Sequence, residues 1–283
     1  MSSSVNDRVT TPGTRSPGVK QGYAPINGLE MYYRIEGSGD PLVFIHPALG
    51  FAGLESFPTL SERHTVITLD LQGHGRTADI PDRPLSIEQY AKDVLGLLDF
   101  LGIQTADIFG ESYGGNAAVM FAIQNPHRVR RVAAYSATFG PAEVAHNPQM
   151  VRFDEPPTPH SGDTRFQRES YEKFAPDPSY WPKLWDKTAN LRWSGFSRED
   201  LASIAVPMLI LVGDRDFVRV EHAVETFKAI PSAELAVIPD AGHFALYSEP
   251  DRVIPVVQHF FEKPATRTPV AHAGLGYQPG KSR

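Results

Sequence analysis

Cysteine is absent from this 283-residue chain, so it can build neither a disulfide framework nor a thiolate metal site. No apolar run approaches the ~20 residues that a bilayer-spanning helix needs. Positive charge is in deficit: 27 Lys and Arg stand against 33 Asp and Glu, for a net charge of -6. That balance gives no reason to expect nucleic acid or an anionic membrane as a partner. The opening stretch MSSSVNDRVTTPGTRSPGVKQ is polar and lacks the apolar centre of a secretory signal, so cytoplasmic residence is the expectation. Nor is there a glycine-rich phosphate loop ahead of a helix. No cofactor and no metal is therefore expected, and no pair of histidines has metal-ligand spacing.

A hydrophobic content of 41% supports a sizeable core, and the length favours one large domain or a domain carrying an insertion. Residues 1–21 and 263–283 are rich in Ser, Thr, Pro, Gly and charge and read as a disordered leader and a flexible tail. Between them, short β-rich apolar runs alternate with helical ones. LEMYYRIEG and GDPLVFIHP read as strands joined by a turn at 37–40, and HTVITLD, TADIFG, RRVAAYSA, PMLILVGD and AELAVIPD as further strands. SIEQYAKDVLGLLDFLGI carries an apolar stripe (Ile87, Tyr90, Val94, Leu97, Leu98) behind a Ser86/Gln89 capping box and reads as a helix. This alternation predicts an α/β fold, a mostly parallel, doubly wound sheet. From 141 to 200 the rhythm breaks into Pro, His, charge and aromatics, with all three tryptophans (Trp181, Trp185, Trp193) inside. The expected division is a core over 22–140 and 201–262, with a mainly helical cap inserted at 141–200.

DIFGESYGGNAAV poses the chemical question. An apolar strand breaks at Gly110-Glu111-Ser112-Tyr113-Gly114 and resumes as a helix. G-x-S-x-G between a strand and a helix marks a bend sharp enough to demand small neighbours and to present Ser112 at a helix N-terminus. A serine needs a base and an orienting acid. Two later strands end in Asp214-Arg215-Asp216 and in Asp240-Ala241-Gly242-His243, at the edge of the sheet where Ser112 sits.

Together FIHPALG, LDLQGHGRT, FGESYGG, LVGDRDF and PDAGHF resemble the motifs of the α/β-hydrolase superfamily over roughly 21–262. The resemblance implies Ser112 as nucleophile, His243 as general base and then acid, and Asp216 as the carboxylate orienting the imidazole, with Asp214 its rival. It implies an oxyanion hole made by the N–H groups of Tyr113 and Ala48, since Pro47, where relatives commonly carry glycine, has no N–H to give. The end of VAAYSA, which holds the acid in some relatives, offers only Ser136, Ala137 and Thr138. Asp70 and Arg76 are expected to hold the LQGHGRT turn. His46, His74 and His222 are expected to be structural or substrate-adjacent, with His46, Trp181, Trp185 and Trp193 as candidate pocket residues. A serine rather than a carboxylate at the bend sets the chain apart from similar haloalkane dehalogenases and epoxide hydrolases. It implies acyl transfer on a small or medium ester or lactone, a small-molecule substrate. Thioester, C–C bond or aminopeptidase hydrolysis, perhydrolysis and a non-enzymatic ligand receptor are the alternatives on the same framework.

Overall fold

The computed structural model describes residues 18–54, 57–148 and 157–263. The expected leader through residue 17 and the tail beyond 263 lie outside them. The order of elements is β1 (Lys20–Ile26), β2 (Leu29–Gly37), β3 (Asp40–Ile45), α1 (Pro58–Ser61), β4 (His64–Leu69), α2 (Ile87–Phe100), β5 (Ala106–Glu111), α3 (Tyr113–Gln124) and β6 (Val129–Tyr135). Then come α4 (Ala142–Ala145), α5 (Arg165–Phe174), α6 (Trp181–Ala189), α7 (Arg198–Ala202), β7 (Met208–Gly213), α8 (Val220–Ala229), β8 (Ala233–Ile238), α9 (Ala245–Ser248) and α10 (Pro250–Glu262).

The strands form one eight-stranded sheet in the order β1-β2-β4-β3-β5-β6-β7-β8. The two pairings that involve β2 are antiparallel, and all others are parallel. Alternate residues of one strand feed opposite layers, as the period of two requires. Val43 and Ile45 of β3 and Met208, Ile210 and Val212 of β7 join α2 and α3 on one face. Leu42, Phe44, Leu209 and Leu211 join Val253, Val257 and Phe261 of α10 on the other. Every residue of β5 and β7 is buried, which is why those runs read as unbroken apolar stretches.

Two local expectations need correction. Lys20 and Gln21, assigned to the leader, already pair with Ile35 and Arg34. They open a hairpin closed at Asn27-Gly28, both at positive φ (49° and 85°), the conformation favoured by tight two-residue hairpins. The capping box of α2 is half made. Ser86 accepts from the Gln89 N–H at 3.1 Å, but the Gln89 amide turns to Asp93 at 2.7 Å.

Among its described residues, the regular elements between β6 and β7 are short helices joined by irregular chain, with an isolated bridge from His146 to Val218. Trp181, Tyr171 and Trp185 pack on one another at 5.7 and 6.0 Å between ring centres. The segment is tied to loops at the carboxyl edge of the sheet: Trp193 Nε1 donates to the Thr138 carbonyl at 2.7 Å, and Lys187 pairs with the buried Asp79 at 2.6 Å. These bonds hold it against the loops that follow β6 and β4.

Candidate active site

Ser112 stands between β5 and α3 at φ 52° and ψ -120°. A residue with a β-carbon reaches this region at a cost of about 1–3 kcal/mol, so the surroundings must impose it. The Ser112 N–H donates to the Tyr135 carbonyl at 2.9 Å, and its own carbonyl accepts from Asn116 at 3.0 Å. The glycines are required by close approach. A β-carbon at Gly110 would meet the Gly114 carbonyl, and one at Gly114 would meet the carbonyls of Ile45 and His46. The bend therefore packs directly on the loop that follows β3.

Beyond β7, Asp216 is buried and fully engaged. Its Oδ1 accepts from the Val218 N–H at 2.9 Å and from His243 Nδ1 at 3.0 Å, while Oδ2 accepts from the Ser136 hydroxyl. Asp214 is exposed and lies 3.9 Å from Arg215. Of the two carboxylates, the structure brings Asp216 to the imidazole. The His243 ring stacks on Phe217 at 4.0 Å and 26° between planes, with Phe244 edge-on at 5.2 Å. With Nδ1 donating to the carboxylate, Nε2 is left as the basic nitrogen.

Ser112, Tyr113, Ala48 and His243 line one cavity of about 310 Å³, together with Thr138, His146, Trp193 and Phe217. Pro47 does not disrupt the loop. Its carbonyl accepts from Gly50 N–H at 3.0 Å, closing a turn in which Leu49 sits at φ 61°, and Ala48 is thereby placed at the cavity wall. Asp70 holds the neighbouring loop as expected: its carboxylate accepts from the backbone N–H of Arg76 at 2.7 Å and from that of Ala52.

Other candidates fall elsewhere. His46 is buried and outside the cavity lining. Its Nδ1–H donates to the Pro47 carbonyl at 2.7 Å and its Nε2 accepts from the Leu71 N–H at 3.1 Å. Trp181 is buried in the main core with the half-buried Trp185 packed against it, and only Trp193 of the three reaches the cavity. His222 accepts the Phe139 N–H at 3.0 Å behind the site. Sequence reasoning missed two residues. Ser136, at φ 53°, joins Asp216 across eighty positions of chain. His146 lies edge-on to Phe217 at 4.9 Å, and burial, then the charge of His243, lowers its pKa.

The buried imidazoles carry a pH signature. Burial, then His74, pushes His46 down to about 3, and burial pushes His74 down to about 4. Below pH 6.5 the unfolded chain takes up protons that the folded one refuses. Each histidine therefore contributes stability that is present above pH 6.5 and lost as pH falls toward its folded pKa, at about 1.4 kcal/mol per pH unit. Asp70, pushed up to about 6 by burial, titrates in the opposite sense. Because Asp70 is common to both proteins, comparing His74→Asn with the wild type isolates His74. The expected result, by urea unfolding at pH 5 and pH 6.5, is a pH slope shallower by about 1 kcal/mol per unit, because the unfolded imidazole is only half protonated at pH 6.5.

Among the described residues no group of three or more His, Asp or Glu is placed to hold a metal ion, and no helix is long and apolar enough to cross a membrane. The chain is 30% identical over 272 residues to a dihydrolipoyllysine-residue acetyltransferase component of an acetoin cleaving system from Pseudomonas putida, covering 86% of this chain and 70% of the relative. It is 26% identical over 249 residues to a 2-hydroxymuconate semialdehyde hydrolase from Pseudomonas putida, covering 80% and 88%. A solved structure described as an N-acyl homoserine lactone degrading enzyme matches with a TM-score of 0.68 at 27% identity, covering 85% of this chain and all of that one. A profile of the alpha/beta hydrolase family matches residues 42–256, and with the sheet order and the bend at Ser112 this makes the chain a member of that family.

Proposed function

We propose that the protein is a serine hydrolase of neutral carboxylic esters or lactones. Ser112 Oγ attacks the carbonyl carbon and passes its proton to His243 Nε2, while Asp216 holds Nδ1–H and stabilises the imidazolium. The negative oxygen is taken by the N–H groups of Tyr113 and Ala48. Collapse expels the alcohol, which leaves with the proton from His243, and an acyl group remains on Ser112. Water, deprotonated by His243, attacks that ester and releases the acid.

The observation that carries this reading is the Asp216–His243 couple at 3.0 Å, whose imidazole lines one cavity with a serine held at φ 52°. The cavity wall also speaks to substrate charge. Its lining contains no Lys, Arg, Asp or Glu among the described residues, and His146 is held toward its neutral form. The muconate in the name of one relative is a carboxylate, which asks for a buried counter-charge. An uncharged ester or lactone needs none, and the lactone-degrading neighbour is in keeping with that.

The test is pre-steady-state hydrolysis of p-nitrophenyl butyrate. The expected trace is a burst of about one nitrophenolate per chain followed by slower turnover, the mark of an accumulating acyl-enzyme. Inertness toward all neutral esters and lactones, with turnover of a carboxylate-bearing vinylogous diketone, would move the assignment to C–C bond hydrolysis.

A further inference from the structure

A second cavity, of about 210 Å³, adjoins the first and shares Pro47, Ala48 and Phe244 with it. Its walls come from three places that share nothing in sequence: Leu49, Phe51 and Leu54 after β3, Phe166 on α5 of the cap, and Tyr247 on α9. Phe166 and Tyr247 meet across it at 5.3 Å between ring centres. Among the described residues, three of the eight large apolar side chains that are exposed, Phe166 (47%), Phe244 (53%) and Tyr247 (46%), stand around this chamber. Exposed apolar surface gathered in one place, where scatter is the norm, marks a binding surface. We infer that this chamber is the acyl-chain site, and that the substrates are esters or lactones of medium-length, uncharged aliphatic acids.

The inference rests on the acyl-enzyme reading above, and the chemistry of that reading sets the orientation. The leaving oxygen must receive its proton from His243. His243, Phe217 and His146 line the first cavity and not the second, so the alcohol half occupies the first. The oxyanion lies at Ala48, on the wall common to both. The remaining substituent on the reacting carbon is the acyl chain, which passes Ala48 and Phe244 into the second chamber. At roughly 30 Å³ per water-sized group, the volume holds about seven such groups, or an acyl chain of six to eight carbons. Among the described residues no Lys or Arg stands in the lining of this chamber, so a chain ending in a second carboxylate would be buried there without a counter-charge.

Two ester series read the two chambers apart: p-nitrophenyl esters from acetyl to dodecanoyl, and acetate esters of alcohols from methyl to octyl. The expected kcat/KM rises about fourfold per methylene along the acyl series, reaches its maximum at hexanoyl to octanoyl and then falls. The alcohol series reads the first cavity instead, and its profile is expected to be unchanged in Ser170→Trp. Ser170→Trp, which fills the chamber from α5, is expected to lower the octanoyl-to-acetyl ratio at least tenfold. Should that variant fail to fold, the wild-type series decides alone. Esters cleaved with no acyl-length dependence, with dependence on alcohol length instead, or with an unchanged ratio in folded Ser170→Trp, would overturn the acyl-chain assignment and leave the hydrolase reading standing. Cleavage of no ester at all would overturn both.

Discussion

Ser112→Ala is expected to lower kcat for a neutral ester by about a millionfold, with the fold intact. Alanine keeps the β-carbon, so the strain at φ 52° is unchanged, and the backbone bonds to Tyr135 and Asn116 do not involve the hydroxyl. Only the reacting oxygen is lost. The measurements are steady-state hydrolysis of p-nitrophenyl butyrate and a thermal melt, with the melting temperature within a few degrees of wild type. Because the groups act as one unit, Ser112→Ala combined with His243→Ala should be no slower than either alone. A multiplicative loss would mean that the two act separately and that the covalent pathway is wrong.

Asp216→Ala and Asp214→Ala are expected to differ by about four orders of magnitude in kcat, although the two carboxylates are separated by a single residue. Removing Asp216 takes the acceptor from His243 Nδ1, so the ring loses both its orientation and the charge that stabilises its protonated form. It also strands the buried donors Ser136 Oγ and Val218 N–H, each at about 1–3 kcal/mol. The melting temperature should therefore fall as well. Asp214 is exposed beside Arg215, and its removal should alter kcat by no more than about threefold. Equal losses in the two variants would contradict the role given to Asp216.

The sheet, the bend and the order Ser, Asp, His were legible in the sequence because each is written locally. Strand runs show as apolar stretches, and the bend at Ser112 needs small residues within two positions of it. The two loops carrying Asp216 and His243 follow strands that end at one edge. What stayed hidden depends on contacts between distant segments. Ser136 supports Asp216 because β6 and β7 lie side by side in parallel register, and no local pattern reports which residue of a loop will meet the next strand's loop. The roles of the three tryptophans separate only when the cap is seated: Trp181 and Trp185 face each other, whereas Trp193 reaches back to Thr138. His46 has the adjacency of a pocket residue, yet its ring is turned inward by two hydrogen bonds. The first strand was missed because it sits at the sheet edge beside a polar stretch, where only the Asn27-Gly28 turn betrays it.

The proposed hydrolase mechanism stands or falls on Ser112 as nucleophile, activated through His243 and Asp216. Its most direct test is exposure to a fluorophosphonate followed by peptide mapping by mass spectrometry. In that reaction the serine oxygen displaces fluoride at phosphorus and the proton leaves through His243. The expected result is one phosphonyl group per chain on the peptide that contains Ser112, with labelling slowed at least a thousandfold in His243→Ala. An unmodified Ser112 in the folded wild-type protein, or labelling at Ser112 as fast in His243→Ala as in wild type, would contradict it.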